Sequence, residues 1–372
     1  MNALHQLLEY GQSFWLDNLS REMIANGELA RRVAEEGLRG VTSNPAIFHK
    51  AITEGDEYDG DIARYAALGL GAIEAYERLV VADVQAACDI LRPVWLESGG
   101  LDGYVSLEVS PHLAHDEEGT VEEAIRLHRA VDRENVLIKI PGTPAGVPAI
   151  RRVIFEGVSV NVTLLFAIDA YDAVADAYLD ALDRRLEEGR PVDEVASVAS
   201  FFLSRIDTLT DQRLETLAGL EDESAVSELR GEAAIANAKL AYDSFERRLD
   251  TDRWGRLAEA GARPQRMLWA STSTKDPAYR DVKYVEPLIG DLTINTMPES
   301  TVAAFADHGV VADTVRAGLP AARETMERLA AAGIDFDDVT DTLLEEGVEK
   351  FVVPFDRLLA SLEERLGSLV PG

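Results

Sequence analysis

The chain has 372 residues, 47% of them hydrophobic, enough to bury a sizeable core and too many for a disordered segment. Acidic residues outnumber basic ones 67 to 36, a net charge of -31 that repels nucleic acid and anionic membrane surfaces, and no basic patch interrupts it. A single cysteine, Cys88, excludes an intramolecular disulfide framework; the start "MNALHQLLEY" has no leader pattern and no apolar run reaches membrane-spanning length, so a soluble cytoplasmic protein is expected.

Eight β-rich runs follow one another along the chain: "FWLD" (14–17), "GVTSN" (40–44), "YVSLEVS" (104–110), "NVLIKIP" (135–141), "VSVNVTLLF" (158–166), "ASVASFF" (196–202), "RMLWAS" (266–271) and "DLTINTM" (291–297). Helical patterns separate them. In "TVEEAIRLHRAVD", Thr120 and Glu123 have the spacing of a capping box, and "AIDAYDAVADAYLDALDRRLEEG" closes on Gly189 as a C-cap. Eight strands each followed by a helix predict an α/β protein, a single (β/α)8 TIM barrel, with an open doubly wound sheet as the alternative. Two regions exceed one helix per strand, about 45–102 and about 300–372. They read as a helical insertion and a C-terminal helical extension of one catalytic domain, because neither carries a linker-like tract or a repeat. Amphipathic helices such as "FVVPFDRLLASLEERL" leave two roles open, closing the barrel or forming a homodimer contact.

Alternation along the strands is more informative than their number. Tyr104, Ser106, Glu108 and Ser110 share one face opposite Val105, Leu107 and Val109; Ser159, Asn161 and Thr163 oppose Val160, Val162 and Leu164; Leu137 and Lys139 oppose Ile138 and Ile140. If the apolar faces pack under the helices, the polar set points into the barrel, which is costly unless those groups bind something. Asp17, Asn44, Glu108, Lys139, Asn161 with Thr163, Ser200 and Ser271 then gather at the C-terminal strand ends, where barrel enzymes build their sites. Lys139 stands out, since only six of the 36 basic residues are lysines and this one lies in an apolar run. Lysine differs from arginine in that a desolvated amine can lose its proton and attack a carbonyl to form a Schiff base. A buried structural ion pair with Glu108 is the competing explanation.

The motifs "GVTSNPAIF", "VSLEVSPHLAHD", "NVLIKIPGTPAG", "VNVTLLF", "SFFLSRID" and "LWASTSTKDP", in this order, make the sequence resemble transaldolase, a Schiff-base aldolase family of the pentose phosphate pathway, over almost the whole chain. The resemblance implies that Lys139 forms an imine with a ketose donor, sedoheptulose 7-phosphate or fructose 6-phosphate. Asp17 would take the C4-hydroxyl proton, Glu108 with Thr163 would shuttle protons through a water, and Asn44, Asn161 and Ser200 would hold the dihydroxyacetone unit. The unit then passes to an aldose phosphate such as erythrose 4-phosphate or glyceraldehyde 3-phosphate. Arg205 and Ser271 match the family's phosphate site. Where many members carry a second arginine this chain has Ser273, and Lys275 is the nearest replacement. Phe202 with Glu108 favours group transfer over the related fructose 6-phosphate aldolases, which the resemblance gives a tyrosine and a glutamine there.

No cofactor or metal is expected. His112 and His115 in "HLAHDEE" have helical-turn spacing but no third ligand, and no glycine-rich phosphate loop follows a strand. Cys88 reads as a packed thiol. Two rivals remain: a metal-dependent sugar-phosphate enzyme on the same barrel, and a non-catalytic barrel that binds sugar phosphates.

Overall fold

The computed structural model describes residues 2–218 and 228–369. Eight parallel strands close into a barrel in sequence order, β1 (Gln12–Leu16), β2 (Gly40–Val41), β3 (Tyr104–Glu108), β4 (Val136–Pro141), β5 (Val160–Leu165), β6 (Ser197–Phe202), β7 (Arg266–Ala270) and β8 (Thr293–Met297), with β8 pairing back to β1. The fold is therefore the (β/α)8 barrel, and the open sheet is excluded by that last pairing. The strands are buried on both faces, as parallel strands in a closed barrel must be.

Helix termini follow local chemistry. Asn44 caps the helix Pro45–Glu54 by accepting the Ala46 and Ile47 N–H groups, with Pro45 pre-set for the first turn. Gly189, at φ +70, ends the helix Ile168–Glu187 as expected. The Thr120–Glu123 capping box does not form. The helix starts earlier, at Glu117, because Asp116 accepts the Gly119 N–H, and this leaves Thr120 inside the first turns, donating to the Leu113 carbonyl. Glu123 instead accepts the Ser110 N–H at 2.6 Å.

Between β2 and β3 lie the helices Pro45–Glu54, Asp59–Ala67 and Ala72–Glu97. Asp83 ties the third of them to the start of the second: it accepts from the Tyr58 hydroxyl (2.7 Å) and from Arg21 (2.8 Å), whose guanidinium also reaches Asp61. After β8 come Glu299–His308, Leu319–Ala331 and the 34-residue helix Phe336–Leu369. Residues 370–372 lie outside the described residues. Of the two roles left open for this last helix, barrel closure is visible: Gly347 sits so close to Leu164 that a Cβ would lie 3.0 Å from its Cδ2, and Phe351 reaches over the barrel mouth. Among the described residues no helix is long and apolar enough to cross a membrane.

The opposite end of the barrel is sealed by a buried polar plug. Arg266 bonds Asp102, Ser13 and the Leu101 and Thr293 carbonyls, and the Trp15 indole N–H donates to Asp102. Trp15 fills the lumen against Gly40, its register partner, where a Cβ would stand 2.4 Å from the indole. Gly40→Ala should therefore overpack the interior and cost about 1–3 kcal/mol; a urea titration reads this as a lowered midpoint with unchanged slope.

Candidate functional site

The register of β3, β4 and β5 sets the centre of the site. Glu108 lies opposite Lys139, and Lys139 opposite Asn161, so their side chains point to the same inward face. Lys139 is only 5% exposed. Its Nζ donates to the Ser43 carbonyl at 3.0 Å and stands 3.4 Å from Glu108 Oε2, an ion pair rather than a hydrogen bond. The Phe351 ring lies 5.7 Å away on the other side.

A cavity of about 240 Å³ opens at the C-terminal ends of the strands. Its wall includes Asp17, Thr42, Asn44, Lys139, Thr163, Ser200, Phe202, Arg205, Ser271, Lys275, Thr296 and Phe351. Asp17 accepts the Thr42 hydroxyl at 2.7 Å, and Thr42 also meets Thr296 at 2.7 Å, which ties β1, β2 and β8 together at one carboxylate. Asn44 spends its carbonyl oxygen on the helix cap, which leaves the carboxamide N–H groups as the end able to meet a ligand.

Two sequence-derived residues stand apart from the cavity wall. Asn161 is fully buried beneath it, donating to Ser106 (3.0 Å) and accepting from Ser200 (2.6 Å), so its carboxamide is engaged at both ends. Glu108 flanks Lys139 but lines a second cavity on the far side of the pair. At Thr163 the expected alternation breaks. The β5–β6 register slips by one residue between Val162 and Leu165, and Leu164 adopts φ +59 and packs on the last helix instead of under the flanking ones. Such left-handed conformations at non-glycine residues concentrate at sites that need a side chain re-aimed. The Thr163 hydroxyl is left buried with no hydrogen-bond partner among the described residues.

The opposite wall is cationic. Arg205 follows Ser204 at the start of the helix Ser204–Ala218, and one of its guanidinium nitrogens, Nη1, is buried without a hydrogen-bond partner among the described residues. Ser271, at φ +56, shares a 2.9 Å hydrogen bond with Ser204, and Lys275 donates to Ser273 at 2.7 Å. Two cations and a helix N-terminus converging on one wall suit an anion, and a buried donor without a partner marks where it would sit.

Burial dominates the titration of the acids. It raises the Glu108 carboxyl to about 7, opposed by Lys139 and reinforced by Asp17. Burial also raises Asp17, against the pull of Lys139, the Thr42 hydrogen bond, Lys275 and Arg205. Each carboxylate is thereby a stronger base than a solvated one. Lys275 is lowered, first by burial and then by Arg205.

Sequence reading missed several groups here. In "DLTINTM" Thr296 shares a face with Ile294, opposite Thr293 and Asn295, so polar alternation did not single it out. The Ser43 carbonyl and Phe351 were out of reach as well, because a backbone acceptor has no side-chain signal and Phe351 comes from a helix remote in sequence. Among the described residues no cluster of three or more His, Cys, Asp and Glu side chains is arranged to hold a metal, and His112 pairs with Asp356 at 2.7 Å. Cys88 is fully buried, with its thiol pushed up by desolvation.

Since Glu108 ionises around pH 7, activity that needs its carboxylate should fall as the pH drops through that value. Glu108→Gln should lower kcat by roughly 10²–10⁴ and erase the limb near pH 7 from the profile of kcat/KM.

The family model for transaldolase/fructose-6-phosphate aldolase matches residues 14–362. The chain is 48% identical over 376 residues to a transaldolase of Trichodesmium erythraeum and 49% identical over 378 residues to transaldolase 2 of a Nostoc species, covering 100% of this chain and 99% of each relative. A transaldolase of Thermobifida fusca is 47% identical over 368 residues, 99% of both chains. With a family match across nearly all of the barrel and relatives of this similarity end to end, the chain is an enzyme of the transaldolase/fructose-6-phosphate aldolase family.

Proposed function

We propose that this enzyme transfers a dihydroxyacetone unit from sedoheptulose 7-phosphate or fructose 6-phosphate to erythrose 4-phosphate or glyceraldehyde 3-phosphate, through a Schiff base on Lys139. The observation that carries the reading is one lysine amine, nearly buried in a cavity wall, beside a carboxyl that titrates near neutrality and across from a cationic wall.

The chemistry follows from those positions. Glu108 takes a proton from the Lys139 ammonium, the amine adds to the ketose C2 carbonyl, and the C2 oxygen leaves as water with that proton returned by Glu108 and a second one from the nitrogen, leaving the protonated imine. Thr163 orients the water that Glu108 works through. Asp17 removes the C4-hydroxyl proton, the C3–C4 bond breaks, and its electrons pass into the protonated imine as the aldose departs. The remaining three-carbon enamine attacks the carbonyl of the acceptor aldose. Asp17 returns its proton to the new C4 oxygen, and hydrolysis of the imine frees Lys139. Asn44 holds a donor hydroxyl with its carboxamide N–H groups. Ser200 contributes through the Asn161 ladder, so Asn161 positions from below. Arg205, with Ser271 and Lys275, binds the phosphate; Lys275 takes the part of a second arginine. Phe202 has no hydroxyl and cannot protonate the enamine, which preserves the three-carbon unit for the acceptor and favours transfer over plain cleavage of fructose 6-phosphate.

The direct test incubates the enzyme with fructose 6-phosphate, reduces with borohydride and locates the adduct by peptide mass spectrometry. A stable three-carbon or hexose phosphate adduct on Lys139 is expected, absent in Lys139→Arg; no adduct in the parent enzyme, together with an active Lys139→Ala variant, overturns the reading. Lys275→Met should raise KM for the phosphorylated donor about tenfold, the loss of one charge-assisted hydrogen bond, with kcat changed far less in steady-state assays.

A further inference from the structure

Glu108 touches Lys139 but is absent from the wall of the substrate cavity. It lines a second one, about 350 Å³, enclosed by the helix Ala72–Glu97 (Tyr76, Glu77), the turn after β3 (Ser110, His112), the helix Glu117–Val131 (Glu123) and the last helix (Phe355). Lys139, its partner at 3.4 Å, lines the front cavity instead. The pair is thus a partition between two spaces. The rear space is roomy enough for several waters at about 30 Å³ each and offers them polar partners. Its outer rim is wet: Ile73 is 59% exposed, and His112 and Asp356 pair at the surface.

We propose that this second cavity is a rear port through which Glu108 exchanges water and protons with bulk solvent, by way of Tyr76 and Glu123. The inference rests on the imine reading above. Condensation of a ketose carbonyl with the Lys139 ammonium breaks the C2–O bond, forms C2–N and moves two nitrogen protons onto oxygen, so one water leaves; hydrolysis takes one in. A sugar phosphate filling the front cavity, under the Phe351 ring, covers the direct approach to Lys139 while this happens. Glu108 reaches the rear space regardless of what fills the front.

The groups that face Glu108 fit a relay. On the barrel side are Lys139 and Asp17. On the rear side Tyr76 lines the same cavity as Glu108, Glu123 and Glu77, and burial, then those carboxylates, hold its phenol above its usual range and protonated. Glu123 is raised by burial against the Ser110 N–H and Arg126. Glu77 and Arg126 pair at the rim at 2.6 Å, and His112 with Asp356 completes the titratable set. Tyr76 and Glu123 act through Glu108, so they are positioning residues.

Two variants keep the packing intact. Tyr76→Phe retains the ring contacts to Phe48 and Phe355, and Glu123→Gln retains an oxygen for the Ser110 N–H. In the full-length enzyme, the washout of ¹⁸O from the C2 carbonyl of labelled fructose 6-phosphate is followed by mass spectrometry beside kcat, KM and the borohydride-trapped adduct. Each variant should exchange ¹⁸O and turn over about tenfold more slowly, less than the roughly hundredfold or greater loss for a group acting directly. KM and the final adduct yield should be unchanged, and the limb near pH 7 displaced. Parent-like exchange, kcat and pH profile in both variants overturn the port. Absence of adduct and of exchange in the parent enzyme would instead overturn the imine reading, so the two failures are distinguishable.

Discussion

The site depends on one arrangement: an amine and a carboxylate taken out of water together on adjacent strands. Burying either charge alone costs several kcal/mol, and removing one partner of such a pair leaves the other uncompensated. The β3–β4 register sets Glu108 opposite Lys139, and the Ser43 carbonyl takes one ammonium hydrogen bond. That leaves a carboxyl poised near neutrality instead of a permanently ionised structural pair. A structural salt bridge and a reactive amine use the same two residues. Burial, and the presence of a cavity on each side of the pair, favours the second.

Around that pair the barrel divides its labour by depth. At the N-terminal end, Arg266, Asp102 and Ser13 form a hydrogen-bonded network with the Trp15 indole and serve packing. At the middle level Ser106, Asn161 and Ser200 bond one another in a polar layer across three strands. At the C-terminal rim, Thr163 and Arg205 line the cavity with buried polar atoms that have no partner among the described residues. There the backbone also departs from regular strand at Leu164 and Ser271. Hydrogen-bonded layers below support the rim, which is how a preformed site is held in place.

The overall charge of -31 makes the cationic wall more pointed. Most arginines of the chain pair with acids on the surface, such as Arg126 with Glu77 and Arg133 with Asp89. Arg205 and Lys275 face the cavity instead, where the nearest carboxylate they share is Asp17. An anionic substrate approaching an acidic protein meets attraction chiefly at this mouth, an arrangement that favours binding in one orientation.

The barrel was legible in the sequence because it is written in local periodicities: eight β-rich runs, helices between them, and polar alternation that turned Lys139 and Glu108 inward. Those signals need only neighbours in the chain. The misread features needed distant partners. Thr120 and Glu123 have capping-box spacing, yet Asp116 took the cap and Glu123 was left to bond the turn after β3. Leu164 fitted the alternation until a one-residue slip against β6 re-aimed it. Asn161 was counted among the groups at the strand ends, and only its cross-barrel bonds to Ser106 and Ser200 put it beneath the cavity. The sequence by itself thus determined the fold and which chemical groups gather at one end of it, because strand alternation and residue chemistry are local. Tertiary structure alone decided that Phe351 covers the mouth and that Glu108 opens to the rear, because these follow from how elements far apart in the chain pack around closed strands.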